Sequence, residues 1–147
     1  MDLILWRHAD AEDGIPDEGR KLTAKGEKQA RRVAKWLAQH LPDATQVLVS
    51  PAKRAQQTAK ALTKDFETCP EAGTATVPEA LLKAAGWPDR GGTVLVVGHQ
   101  PVLGQTVAIL LTGDAGDWAI KKGAIWWLSV RGRGEVIVRA VVAPDLI

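Results

Sequence analysis

Leu3-Ile4-Leu5-Trp6 is a short apolar run that ends in Arg7-His8, and a second run, Thr93 to Val97, ends in Gly98-His99. Two of the chain's three histidines therefore stand where buried strands would surface. In an open α/β sheet the loops leaving the carboxyl ends of the strands share one edge, and ligands bind along it, so residues far apart in the chain can converge there. Arg54 lies in the first turn of a helix beginning at Ser50-Pro51, close to the end of another apolar run. Two guanidiniums are planar, always-charged forks suited to holding phosphate oxygens bidentately, and a helix amino-terminus adds to an anion-attracting field. Neighbouring cations disfavour imidazolium, which keeps a ring lone pair free to attack phosphorus. A second imidazole would donate a hydrogen bond to the phosphoryl oxygens as charge shifts during transfer. On residue types alone either histidine could take either part, and a single strand-end histidine can also simply fill a corner of the core.

The elements that must position these residues follow from pattern. Residues 2–7, with Leu3 to Trp6 continuously apolar, read as a central parallel strand buried on both faces. Ala9 to Lys21 is polar and rich in Asp, Glu, Gly and Pro, hence a loop. Thr23 can cap a helix whose Ala30, Val33, Ala34, Leu37 and Leu41 share one face and which ends before Pro42. Gln46 to Val49 reads as a strand, and Ser50-Pro51 opens a helix running to about Lys64. Asp65 to Pro78 has no clear period, with Ala75 to Val77 a candidate edge strand. Thr93 to Val97 is a strand; Pro101 opens a helix to about Leu111 that Gly113 ends. Ala124 to Val130 and Glu135 to Val142, joined by Arg131-Gly132-Arg133-Gly134, form a hairpin. The order predicts an α/β fold with a mixed sheet flanked by helices.

At 147 residues the chain predicts one domain able to bury its own core. A lone cysteine, Cys69, excludes an internal disulfide and a cysteine metal cluster and favours a reducing, cytoplasmic setting. No signal-peptide pattern and no bilayer-length apolar run is present, so no membrane association is expected. A formal charge of +2 gives no argument for nucleic acid. Lys25, Lys28, Arg31, Arg32 and Lys35, reinforced by Arg20 and Lys21, form a basic helix face that could guide an acidic protein, although such rows are usually the solvated side of an amphipathic helix. Trp6 and Trp36 are expected in or beside the core, Trp126 and Trp127 on opposite faces of a strand, and Trp87 and Trp118 in loops. Cys69 and His40 carry no functional signal.

Neither a nucleotide-binding Gly-rich loop with Lys-Ser/Thr nor a Gly-x-Ser-x-Gly elbow occurs. His8 and Glu12 are four apart, a metal-ligand spacing on a helix, but Gly14 and Pro16 argue against a helix there. No metal or other cofactor is expected.

Four ordered segments carry a family resemblance: Leu5-Trp6-Arg7-His8, Leu22-Thr23-x-x-Gly26-x-x-Gln29-Ala30, Ser50-Pro51-x-x-Arg54-Ala55-x-x-Thr58, and Gly98-His99-x-Pro101. Together they resemble the histidine phosphatase superfamily, the phosphoglycerate mutase-like fold, and the short length is most similar to its SixA-like branch of phosphohistidine phosphatases. The resemblance implies a single domain over 1–147, a three-layer α/β/α fold with a mostly parallel sheet and a C-terminal antiparallel hairpin, and His8 as the nucleophile forming a covalent phosphohistidine. Arg7, Arg54 and His99 would complete the phosphate pocket. Ala9 stands where the family signature usually has Gly, a position that would strain alanine if it required positive φ. Gln100 follows the second histidine where one branch has an acidic proton donor. Val77-Pro78-Glu79-Ala80-Leu81 resembles the acid-bearing segment of another branch, making Glu79 the candidate general acid and Asp10 the reserve.

The resemblance implies a phosphohistidine-bearing protein as substrate, with a small phosphate ester as the alternative. A mutase is disfavoured because redelivering the phosphoryl group needs a water-excluding lid. A non-catalytic phospho-ligand binding module is the alternative outside enzymology.

Overall fold

The computed structural model describes all of residues 1–147. Six strands form one sheet: β1 (Asp2–Arg7), β2 (Gln46–Val49), β3 (Glu67–Thr68), β4 (Thr93–Gly98), β5 (Ile125–Arg131) and β6 (Glu135–Val142), in the order β3-β2-β4-β1-β5-β6. The first four are parallel, while β5 runs antiparallel to β1 and pairs with β6 as the expected hairpin. Four helices cover the faces: α1 (Ala24–His40), α2 (Lys53–Lys60), α3 (Pro78–Ala85) and α4 (Val102–Thr112).

Alternation along β1 and β4 builds the core on both sides of the sheet. Leu3, Leu5, Val94 and Val96 pack with Leu81 and Ala85 of α3 and Leu103 and Val107 of α4. Ile4, Trp6, Leu95 and Val97 face the other way onto Val33 and Leu37 of α1 and Ala55 and Ala59 of α2. Side chains of successive strand residues point to opposite faces, so a continuous apolar run is what a strand sandwiched between helices requires. This is the three-layer α/β/α arrangement, with the hairpin extending the sheet beyond β1.

Helix ends follow their local chemistry. The Thr23 hydroxyl accepts from Gly26 N at 3.0 Å to cap α1, and Gly113 ends α4 in the left-handed region at φ 83°. α2 is shorter than its pattern suggests: it begins at Lys53, because Ala52 is extended at ψ 137°, and ends at Lys60. The edge strand is Glu67–Thr68 rather than Ala75 to Val77, and α3 starts directly at Pro78. Trp127 is buried and Trp126 partly exposed, as adjacent strand positions demand; Trp118 is 38% exposed.

Candidate active site

Register brings the two histidines together. Arg7 pairs with Gly98 across β1 and β4, and His8 N donates to the Gly98 carbonyl at 3.0 Å. His8 and His99, one residue beyond each strand, therefore lie side by side with ring centroids 5.1 Å apart. On the other flank of β4, Val49 pairs with Val97 and Ser50 N donates to the Val97 carbonyl at 3.0 Å. The Ser50 hydroxyl lies 2.7 Å from His99 Nε2 and accepts from Ala52 N at 3.1 Å, joining the second histidine to the start of α2.

Arg54, in the first turn of α2, is buried. Its Nε is 3.4 Å from His8 Nε2 and its Nη2 is 3.4 Å from His99 Nδ1, so one guanidinium touches both rings. Arg7 donates from Nη1 to the Ile120 carbonyl at 2.7 Å, and its Nε is buried without a partner, alone among the buried side-chain nitrogens and oxygens. These four residues line a pocket of about 340 Å³ together with Asp17, Arg20, Thr74, Gln100 and Lys122.

Hydrogen bonding selects the tautomers. His8 Nδ1 stands 2.7 Å from the Ala9 carbonyl, an acceptor only, so Nδ1 carries the hydrogen and Nε2 keeps its lone pair in the pocket. For His99, the Arg54 donor at Nδ1 assigns the hydrogen to Nε2, which donates to Ser50 Oγ. Burial, then the charges of Arg54, Arg7 and Arg20, lowers the His8 pKa to about 4. Burial, then the charges of His8 and Arg54, lowers that of His99 to about 3. Both rings are neutral at physiological pH.

The motif residues around the pocket have mechanical tasks. Thr58 Oγ1 accepts from Ala9 N at 3.1 Å and donates to the Arg54 carbonyl at 2.8 Å, tying the segment after His8 to α2. Gln29 Oε1 accepts from Asp10 N at 2.9 Å. Gly26 is required by contact: a Cβ there would stand 1.9 Å from the Asp10 carbonyl oxygen. Ala9 is fully buried and, like every non-glycine residue, has negative φ, so its methyl group causes no backbone strain.

The expected acids fare differently. Glu79 is exposed in the first turn of α3 and is not among the residues lining the pocket. Asp10 accepts from the Thr23 hydroxyl at 2.7 Å and pairs with Lys122 at 3.0 Å, contacts that lower its pKa. The carboxylate that does line the pocket is Asp17, in a short 3-10 turn of the loop after β1. Arg54 grips it twice, at the carbonyl (2.7 Å) and at Oδ2 (3.1 Å), while Arg20 Nε meets Oδ1 at 3.0 Å. Hydrogen bonds from Arg54 and then Arg20 hold Asp17 below the usual carboxylate range. Sequence reasoning passed over Asp17 and Lys122 and placed Arg20 with the basic helix face. A loop has no period to flag them; an Asp-x-x-Arg pair just ahead of a helix cap was the available signal.

Residues 3–74 match the model of the histidine phosphatase superfamily, branch 1. Phosphohistidine phosphatase SixA of Escherichia coli strain K12 is 34% identical over 125 residues, covering 78% of this chain and 76% of that protein. Among solved structures, that of the protein histidine phosphatase SixA complexed with tungstate superposes with a TM-score of 0.85 at 27% identity, covering 99% of each chain. A SixA structure from Nakamurella multipartitia gives 0.81 at 28% identity over 97% of this chain and 95% of that one.

Proposed function

This chain belongs to the histidine phosphatase superfamily, and on that footing we propose that it is a phosphohistidine phosphatase acting on protein-borne phosphohistidine through a covalent intermediate at His8. The observation that carries the choice of substrate is the pocket's lack of a neutral acid: the carboxylate lining it, Asp17, is held ionised by Arg54 and Arg20. An alkyl phosphate ester expels an alkoxide and needs a proton from such an acid. A phosphohistidine already protonated on its distal nitrogen expels neutral imidazole and needs none.

In the first step the His8 Nε2 lone pair attacks phosphorus in line, the substrate P–N bond breaks, and its electron pair leaves with the substrate imidazole. In the second step water attacks phospho-His8, its protons pass to solvent and phosphate, and the P–N electron pair returns to Nε2. Arg7 and Arg54 hold the equatorial oxygens. A bound phosphoryl dianion raises the His99 pKa by its charge, so Nδ1 takes up a proton and turns from acceptor to donor. No group of three or more His, Cys, Asp or Glu side chains gathers here or elsewhere in the fold to hold a metal. The proton donor assigned to Glu79 by resemblance has no place in this scheme.

The test compares turnover of a phosphohistidine protein domain, free phosphohistidine and sugar phosphates, with His8→Ala as control. Preference for the phosphohistidine substrates, with acid-labile label trapped on His8 under rapid quench, is expected. Preference for sugar phosphates would replace this substrate class with a small ester. Absence of both label and phosphate release would leave a phospho-ligand binding module.

A further inference from the structure

A second concavity, about 420 Å³, runs between the amino-terminal half of α1 and the C-terminal turn Pro144–Leu146. Its walls carry Lys25, Lys28, Arg32 and Lys121. The one acidic side chain lining it, Asp145, is paired with Lys121 at 2.9 Å. Lys25, Lys28 and Arg32 are exposed and take part in none of the molecule's five ion pairs. The chain has 19 Lys and Arg against 17 Asp and Glu, so this is local segregation of charge and not a generally basic surface.

The groove lies next to the catalytic pocket. Lys121 lines the groove and the next residue, Lys122, lines the pocket. Two contacts join the groove wall to the pocket wall: Gln29, another groove residue, accepts from Asp10 N, and Asp10 pairs with Lys122. A macromolecule that places a phosphoryl group on His8 must rest on one of the faces beside the pocket, and this groove is such a face. The unneutralised cations make this face attractive to an anionic surface, through steering and through exclusion of basic competitors.

We propose that the groove between α1 and the C-terminal turn is a docking site for an acidic protein surface flanking the substrate phosphohistidine. This rests on the protein-phosphohistidine reading above and adds where the carrier protein sits. Lys25, Lys28 and Arg32 lie at i, i+3 and i+7, one stripe along α1. A helix or strand bearing several Asp or Glu on one side matches that stripe while its phosphohistidine reaches the pocket.

Two synthetic phosphohistidine peptides test this, identical except that one carries four glutamates on one side of the phosphohistidine and the other four glutamines. At low salt the glutamate peptide should show about tenfold higher kcat/KM, an advantage that shrinks as salt rises. The K25E/K28E/R32E variant should lose the advantage and hydrolyse free phosphohistidine at the unsubstituted rate. Equal kcat/KM for the two peptides, or a preference that survives in the variant, would overturn the docking site and leave the phosphatase reading intact. If sugar phosphate is hydrolysed while neither peptide nor free phosphohistidine is, the phosphatase reading falls and the docking site with it. Should the charge reversal slow free phosphohistidine as well, K25Q/K28Q/R32Q decides by the same two criteria without adding carboxylates.

Discussion

At the scale of single residues the pocket is an arrangement of cations around two imidazoles that stay neutral until an anion enters. With burial as the largest cause, His8 is lowered to about 4 and His99 to about 3. NMR titration of their ring protons should place both midpoints well below the ordinary value of about 6.5, and inorganic phosphate should move that of His99 upward. Midpoints near the ordinary value in the free protein would mean that the rings are more hydrated than their burial indicates. Asp17 is the second lever. Its carboxylate positions Arg54 but also repels a phosphoryl dianion, so Asp17→Asn should tighten competitive inhibition by phosphate about threefold, a change of ~0.6 kcal/mol. Asp17→Ala removes the carboxylate contact and leaves Arg54 only the main-chain carbonyl, so it should lower kcat. Of these residues, Arg7, His8, Arg54 and His99 were legible because strand ends and a helix start announce positions. Asp17 and Arg20 were not, since only the folded loop carries them back over α2.

Among the elements, strands buried between helices were the easiest to read. β1, β2 and β4 have long apolar side chains on both faces and no alternative pattern to compete. β3 has two exposed residues paired only with β2, so nothing in its composition distinguishes it from a loop. α3 was missed as an element, although Pro78 at its first turn and Gly86 at its end are ordinary helix punctuation. The connections between elements make two predictions. Gly26→Ala sets a methyl group against the Asp10 carbonyl and should destabilise by about 1–3 kcal/mol or more in urea unfolding. Thr58→Val strands the buried Ala9 N–H, a cost of about 1–3 kcal/mol. Because that N–H belongs to the residue after His8, the proposed nucleophile, the fall in kcat should exceed what partial unfolding explains.

For the whole molecule, the two depressed histidines make stability depend on pH. Both have lower pKa values folded than unfolded, so between about 6.5 and 4 the unfolded chain binds more protons. Their contribution is intact above the unfolded value and is lost as pH falls through that window. Thermal unfolding should show Tm declining from pH 6.5 towards 4, and His99→Asn should flatten part of the slope; an unchanged slope would place its origin elsewhere. The α/β class, a mixed sheet flanked by helices, was legible in the order of strands and helices, whereas the sheet order, with β4 between β1 and β2, emerges only from packing. No helix is long and apolar enough to cross a membrane.

The Arg7 to Gly98 register has a consequence for how such a chain can change over evolutionary time. Both histidines ride on strand ends aligned by backbone pairing, so inserting one residue within β1 or β4 would reverse the facing of every side chain beyond it and separate the two rings. Insertions between Ala61 and Phe66, or between Gly113 and Ala119, alter no strand pairing and leave that alignment untouched. Lineages descended from this architecture are thus free to vary in length at those two connections and bound to keep a fixed count within the strands.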